Sequence, residues 1–536
     1  MALLQRVENR LKRSFQNQRN YQRIKTLSAQ VNQLSMIQPS AQPVVFFNAS
    51  TRIEGLSLNA AYSLLAGWGL KLAGVPVVNF ICKSGLSRCV LGTNRENPYL
   101  SPPCSACVRN STSIYSQSQN YWFGYVESQD ISECIKDLAL DELLKFEFKD
   151  IPLGKLVLPS VRWILRRHNL IDDEVTLCIV RDYIISAWNI FHQFNSFMET
   201  IPAPRAVVVF NGMFYPEATV RWSAKLRNIP TYSFEVGMQP FSAFFTSGEA
   251  TAYPLKLPSD FHLNSSQNSK LDEYMQKRFQ GDFITAGIRF WPEIHALGDD
   301  FWVKIEKFKQ FVPVFTNIVF DTSQSHANII FPHMFAWLDA VLEEIRQQPD
   351  TLFAIRAHPD ELRPGKESRE SVAQWVQDNK VDQLANVIFI KSNEYISSYE
   401  LVKHAKFVMV YNSTVGLEAS IMGKPVLCAG RARYTQIPTV FLPKDIEEFR
   451  KNLLDFLIVP SIRVPAEYVQ NARKILYGQL FMASLPFEEF IECDEIWDGF
   501  VCLKKFPAEI LKPENSDTIR TIVDGIIKHG DFLLNV

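Results

Sequence analysis

The sequence predicts an α/β protein in which two doubly wound domains face a cleft, and three observations predict it. The chain has 536 residues, too many for one core when a domain takes about 150. Short apolar runs alternate with helical patterns from residue 43 to 234, and the alternation returns from 316 to 428. Between these stretches residues 255 to 312 mix helix and loop without alternation, which puts the domain junction there.

The elements follow in order. The first 30 residues carry Arg6, Arg10, Lys12, Arg13, Arg19, Arg23 and Lys25 against the single acid Glu8, with Leu3, Leu4, Val7, Leu11 and Phe15 near helical spacing. Residues 1–42 therefore read as a basic amphipathic helix, whose stripe either packs on the body or lies on an anionic membrane surface; packing is the plainer alternative. Residues 43–300 form the first α/β domain, with strands at 43–47, 75–81, 205–210 and 229–234. Its helices fall at 60–73 and 217–226, and helical stretches at 131–146 and 172–199 read as an inserted lobe. Residues 301–480 form the second, with strands near 316–320, 351–356, 386–390, 406–410 and 425–428, and helices between and after them. The last segment, 481–536, is expected to pack back on the first domain.

Composition narrows the function. Apolar residues make up 47% and charged residues 21% of the chain, as in an ordinary globular protein. A formal charge of -1 lacks the excess of Lys and Arg that nucleic-acid binding requires, so phosphate recognition must be local. Absence of a long apolar run and of a signal-peptide pattern points to the cytoplasm, with a peripheral place at the inner face of the membrane left open by the basic helix. Nine cysteines are too few for a disulfide scaffold. Cys82 and Cys89, then Cys104 and Cys107, nevertheless form a C-x6-C and a C-x2-C pair, whose spacing suits either a structural zinc or buried thiols.

Candidate chemistry lies at the carboxyl ends of strands, where open α/β sheets bind ligands. The strand at 351–356 runs into His358 and Pro359, and the proline holds the backbone of His358 extended. One β-α unit later, a strand breaks into Asn412, Ser413, Thr414, Val415, Gly416, Leu417 and Glu418 at a helix start. Hydroxyls, unpaired helix N–H groups and a glycine together suit a phosphate, although an ordinary N-cap has the same residues. Glu418, one turn on, is placed to accept both hydroxyls of a ribose. On the first domain Asn211 and Gly212 close a strand, Glu235 ends another and is followed by Gly237, and Glu54 sits in the loop after the first strand. Glu235 and Glu54 are the candidate catalytic bases, whereas Glu217 reads as a helix-dipole residue.

These runs carry a family resemblance. His358 to Glu361, followed downstream by Tyr411 to Ala419 and Met422 to Val426, resembles the capsule polysaccharide biosynthesis family, which includes bacterial Kdo transferases. The resemblance implies the GT-B fold and glycosyl transfer from a nucleotide sugar, with no cofactor needed for the chemistry. His-Pro followed by Ser-Thr is also similar to the donor motifs of bacterial sialyltransferases, which implies a CMP-linked donor. Asn211-Gly212, Pro216-Glu217 and Glu235-Val236-Gly237 resemble stretches of surface-polysaccharide transferases, which implies a glycan or lipid-linked acceptor. Two other readings stay open: a polyol-phosphate transferase using a CDP carrier, as in teichoic-acid synthesis, and a catalytically idle scaffold of the same fold.

Overall fold

A computed structural model describes residues 2–38, 40–279, 284–285, 288–289, 297–497 and 499–536; for 2–7, 284–285, 288–289 and 300 it describes the backbone alone. Most of 280–296, within the expected junction, therefore lies outside the described residues.

The first sheet is built from β1 (Val44–Asn48), β2 (Val77–Cys82), β3 (Gln119–Phe123), β4 (Ala206–Phe210), β5 (Thr231–Val236) and β6 (Ser242–Ser247). The first five are parallel in the order β3-β2-β1-β4-β5, and antiparallel β6 follows β5. Val44, Val45, Val207 and Val208 are buried, because helices cover both faces of the sheet and its central strands must be apolar on both sides. Helices Leu153–Leu165 and Glu174–Met198 fill one side with Val157, Val161, Ile179, Ile184 and Ile190. The first of these helices, β3 and β6 carried no separate expectation in the sequence, whereas the long helix at 172–199 did.

The second sheet contains β7 (Gln310–Phe315), β8 (Thr351–Arg356), β9 (Val387–Ile390), β10 (Val408–Val410) and β11 (Val426–Cys428), all parallel in the order β9-β8-β7-β10-β11. Both sheets thus share one doubly wound order, whose connections reverse direction beside the first strand. Its first strand lies at 310–315, not at 316–320. Pro313, which cannot donate to a ladder, disguises that run as something other than a central strand. Helix Ser265–Phe279 buries Leu271 and Met275 in the same cluster as Val408 and Leu476, so the body of the second domain begins ahead of residue 301.

Both ends of the chain lie on the first domain. Helix α1 (Ala2–Leu34) buries Arg13, Asn17, Asn20, Ile24, Leu27, Ser28 and Val31, spaced three or four apart as one helical face requires. The expected stripe is not the packed one: Leu11 and Phe15 are 57% and 71% exposed, and the side chains of Leu3, Leu4 and Val7 lie outside the described residues. Helix α2 (Leu58–Leu72) is capped by Ser57, whose hydroxyl accepts from the Ala60 amide at 3.3 Å. The tail returns as β12 (Leu485–Pro486), antiparallel to β6, then as strand Phe500–Leu503 against Leu56–Ser57. Its last helix, Asp517–Ile527, presses Ile519 onto Gly69 of α2, where any Cβ would collide. Among the described residues no helix is long and apolar enough to cross a membrane.

Candidate functional site

The carboxyl ends of the two sheets open into a contiguous cleft. A pocket of 380 Å³ lies against the first domain and one of 440 Å³ against the second. Thr251, Tyr253, Asp321, Ser323 and Arg433 line both, so the two pockets share a wall.

The second-domain pocket gathers His358, Pro359, Asn412, Ser413, Thr414 and Glu418. β7 lies between β8 and β10, so the loops that follow β8 and β10 flank the same switch point. His358 has φ −72° and ψ 133°, the extended backbone that Pro359 imposes. Its Nδ1 accepts the Asp360 amide at 3.2 Å, which leaves Nε2 to carry the proton in the neutral ring. Burial lowers the imidazole's pKa and outweighs the opposing pull of Asp360. A neutral donor is thus available to a phosphate oxygen. Across the switch point Asn317 donates from Nδ2 to Oδ1 of Asn412 at 2.6 Å, which ties the loop after β7 to the one after β10. Arg356 and Arg433 also reach this pocket; burial brings the Arg356 guanidinium down to about 10.

Two members of the expected cradle do other work. A Cβ on Gly416 would run into the hydroxyl of Tyr434, which itself donates to the Ser413 carbonyl at 2.8 Å. Gly416 is therefore small to seat the tyrosine under the loop, and it does not line the pocket. Glu418 is 5% exposed and forms an ion pair with Arg278, while its other oxygen accepts from Tyr399 at 3.0 Å. Both oxygens already have protein partners, in place of the expected pair of ribose hydroxyls. Gly416→Ala should consequently cost about 1–3 kcal/mol of stability by overpacking, measurable by chemical denaturation.

The first-domain pocket is lined by Phe47, Trp163, Phe210, Phe214, Phe234 and Tyr253, interleaved with polar groups that include Asn48, Asn59, Asn211, Glu217 and Glu235. Aromatic faces with a few polar groups suit a sugar ring. Asn211 ends β4 with φ 59°; its Oδ1 accepts from Met213 and Phe214 at 3.0 and 3.2 Å, and its Nδ2 donates to Oε1 of Glu235 at 2.5 Å. The amide is thus consumed in closing the turn and aiming Glu235. Burial pushes Glu235 up to about 7, against the Asn211 hydrogen bond. Glu217 also lines this pocket, and burial with a smaller contribution from Glu235 raises it to about 8. Position alone made it a dipole residue; the fold turns it into the cleft.

Other expectations land elsewhere. Glu54 pairs with Arg13 at 2.7 Å on the flank of α1, 48% exposed, and lines neither pocket. Gly212 has φ +86° and accepts from Arg221 at 2.8 Å, which makes it a turn residue outside both pockets. Gly237 does line the second-domain pocket, where a Cβ would strike the Ser242 side chain. Cys82 and Cys89 accept backbone N–H groups from Gly85 and Gly92 at 3.3 and 3.1 Å, and Cys107 lies 3.6 Å from the Ser50 hydroxyl. Burial raises the Cys82 thiol and takes Cys89 up to about 12. Among the described residues no three His, Cys, Asp or Glu side chains, the four cysteines included, are grouped to hold a metal. The thiols nonetheless reach the cleft, since Cys89 lines the first-domain pocket.

Asp321, Tyr253 and Arg433 were not singled out from sequence. Arg433 stands 4.3 Å over the ring of Tyr253, and the tyrosine hydroxyl donates to the Val236 carbonyl at 2.7 Å. Asp321 lies in the loop that follows β7.

Comparison with known proteins adds three findings. No curated protein matches the sequence. Two solved structures from Thermosulfurimonas dismutans are similar to the chain: the KpsC beta Kdo 2,4 transferase, at 11% identity and TM-score 0.34 over 53% of this chain and 81% of that one, and the KpsC beta Kdo 2,7 transferase, at 15% and 0.31 over 55% and 84%. The UDP-GlcNAc 2-epimerase of Neisseria meningitidis bound to UDP-GlcNAc is similar at 14% identity and TM-score 0.27, over 81% of this chain and 97% of that one. Likenesses this weak transfer no residue roles. The family model described as "Capsule polysaccharide biosynthesis protein" matches residues 270–451, the part that contributes His358, Asn412, Ser413, Thr414 and Arg433 to the cleft. That match covers residues 270–451 of the chain's 536, largely within its second α/β domain.

Proposed function

We propose that the chain is a glycosyltransferase of surface-polysaccharide synthesis, which moves a sugar from a nucleotide donor in the second-domain pocket to a glycan in the first-domain pocket. The observation that carries this reading is the shared wall: Asp321, Tyr253 and Arg433 stand between a pocket holding His358, Ser413 and Thr414 and one holding Glu235. Transfer needs its leaving phosphate stabilised on one side and a proton accepted on the other. His358, Arg356 and Arg433 serve the phosphate. Glu235, raised to about 7 and aimed by Asn211, serves as base for the acceptor hydroxyl.

The donor is a cytidine nucleotide, following the His-Pro and Ser-Thr motifs. Incubation with CMP-, CDP-, UDP- and GDP-linked donors, read as thermal stabilisation, tests this. A CMP-sugar is expected to stabilise the protein most. A uridine or guanosine preference overturns the donor assignment, a CDP-polyol preference favours phosphotransfer, and no shift with any donor leaves a scaffold.

A further inference from the structure

We propose that the outward face of α1 docks on an anionic lipid bilayer. α1 is clamped, so its outer face is presented rigidly. Arg13 pairs with Glu54 at 2.7 Å and stands 4.2 Å over the ring of Trp497. Asn20 donates to the Val501 carbonyl at 3.2 Å and accepts from the Leu503 amide at 2.9 Å, and Tyr21 donates to Asn110 at 2.6 Å. On the opposite side Leu11, Phe15 and Arg19 follow one another at four-residue spacing and therefore share a face. Leu11 and Phe15 are 57% and 71% exposed, although the adjoining protein offers ample apolar surface on which α1 packs its other side.

Charge selects the occupant. Arg10, Lys12, Arg19 and Lys25 are exposed on this helix, and Glu8 is the only acid in the first 53 residues. Apolar side chains between exposed cations match the interface of an anionic membrane, into which the rings insert while the cations meet headgroups.

Sedimentation of the full chain with vesicles tests docking. The protein is expected to pellet with vesicles of phosphatidylcholine containing about a third phosphatidylglycerol, and not with phosphatidylcholine alone. The double variant Leu11→Glu, Phe15→Glu should reduce the bound fraction at least about tenfold. Ile458→Glu, at an exposed site on another helix, should leave it unchanged. Nucleotide-induced stabilisation, measured in parallel, should be the same in all three proteins, so that loss of docking is told apart from loss of the donor site. Equal pelleting of wild type and double variant, or no pelleting of either, overturns the proposal. So does sedimentation velocity showing that the wild type self-associates and the double variant does not, for the face would then join two copies of the chain.

Discussion

Glu235→Gln is expected to lower the transfer rate by about 10²- to 10⁴-fold, the usual contribution of a positioned base, while leaving nucleotide-induced stabilisation intact. The wild-type rate should rise as pH passes through about 7, because burial holds the carboxyl protonated until then. Stability should move the other way. A folded-state pKa above the ordinary 4.5 means that the native protein binds the proton more tightly than the unfolded chain. That contribution is complete below the ordinary value and is lost as pH rises through about 7, so the Gln variant should gain on the wild type across this window. Asn211 provides the control. Its Nδ2 donates to Glu235 and so favours the ionised form; a hydrogen bond to a charged group contributes about 1.5–3 kcal/mol. Asn211→Ala should therefore shift the limb of the pH–rate profile upward by roughly one to two units. A purely structural asparagine would lower the rate at every pH alike.

His358→Ala is expected to remove most of the stabilisation that donor nucleotide confers. At a hundred times the dissociation constant a ligand adds roughly 2.7 kcal/mol to a protein that binds it only when folded. Losing one charge-assisted hydrogen bond weakens binding by about 1.5–3 kcal/mol, which at the same ligand concentration leaves roughly 0.3–1.3 kcal/mol. Denaturation with and without nucleotide reads the difference directly. Because burial lowers the imidazole's pKa, the neutral ring persists through the neutral range, and nucleotide affinity should stay flat from about pH 6.5 to 8. An affinity that falls steeply over that range would mean that the cationic ring is the binding form.

How legible the site was depended on which level of structure each residue answers to. His358 was readable because a strand, a histidine and a proline fix a local geometry that survives any packing around it. Ser413 and Thr414 were readable because a strand-to-helix turn falls at a sheet edge whatever its neighbours. Glu418 has the same local address, yet Arg278, 140 residues earlier, claims it. Gly416 likewise answers to Tyr434, and Glu54 to Arg13. Such long-range partners leave no periodic trace in sequence. The amphipathic pattern of α1 misled for a related reason: its buried face mixes polar and apolar residues, with Arg13 paired to Glu54 and stacked on Trp497, and Asn20 bonded to Val501 and Leu503 from the far end of the chain. The strands survived this test better, because a sheet covered on both faces writes its burial into every residue. Of the strands expected, only β7 slipped, through its internal proline, whereas β3 and β6 had not been expected.

The tail's return to β6 and α2 sets an order on biogenesis. While the ribosome is still making the chain, the amino-terminal sheet lacks its final edge strand, and α2 lacks the helix that covers it. The strands of the carboxyl-terminal sheet all precede residue 430, so that domain has its strands before the amino-terminal one is complete. Nascent chains therefore carry an unfinished apolar surface around Gly69 and Tyr62 until residues 485–527 have been made, and that surface is where a chaperone would be needed.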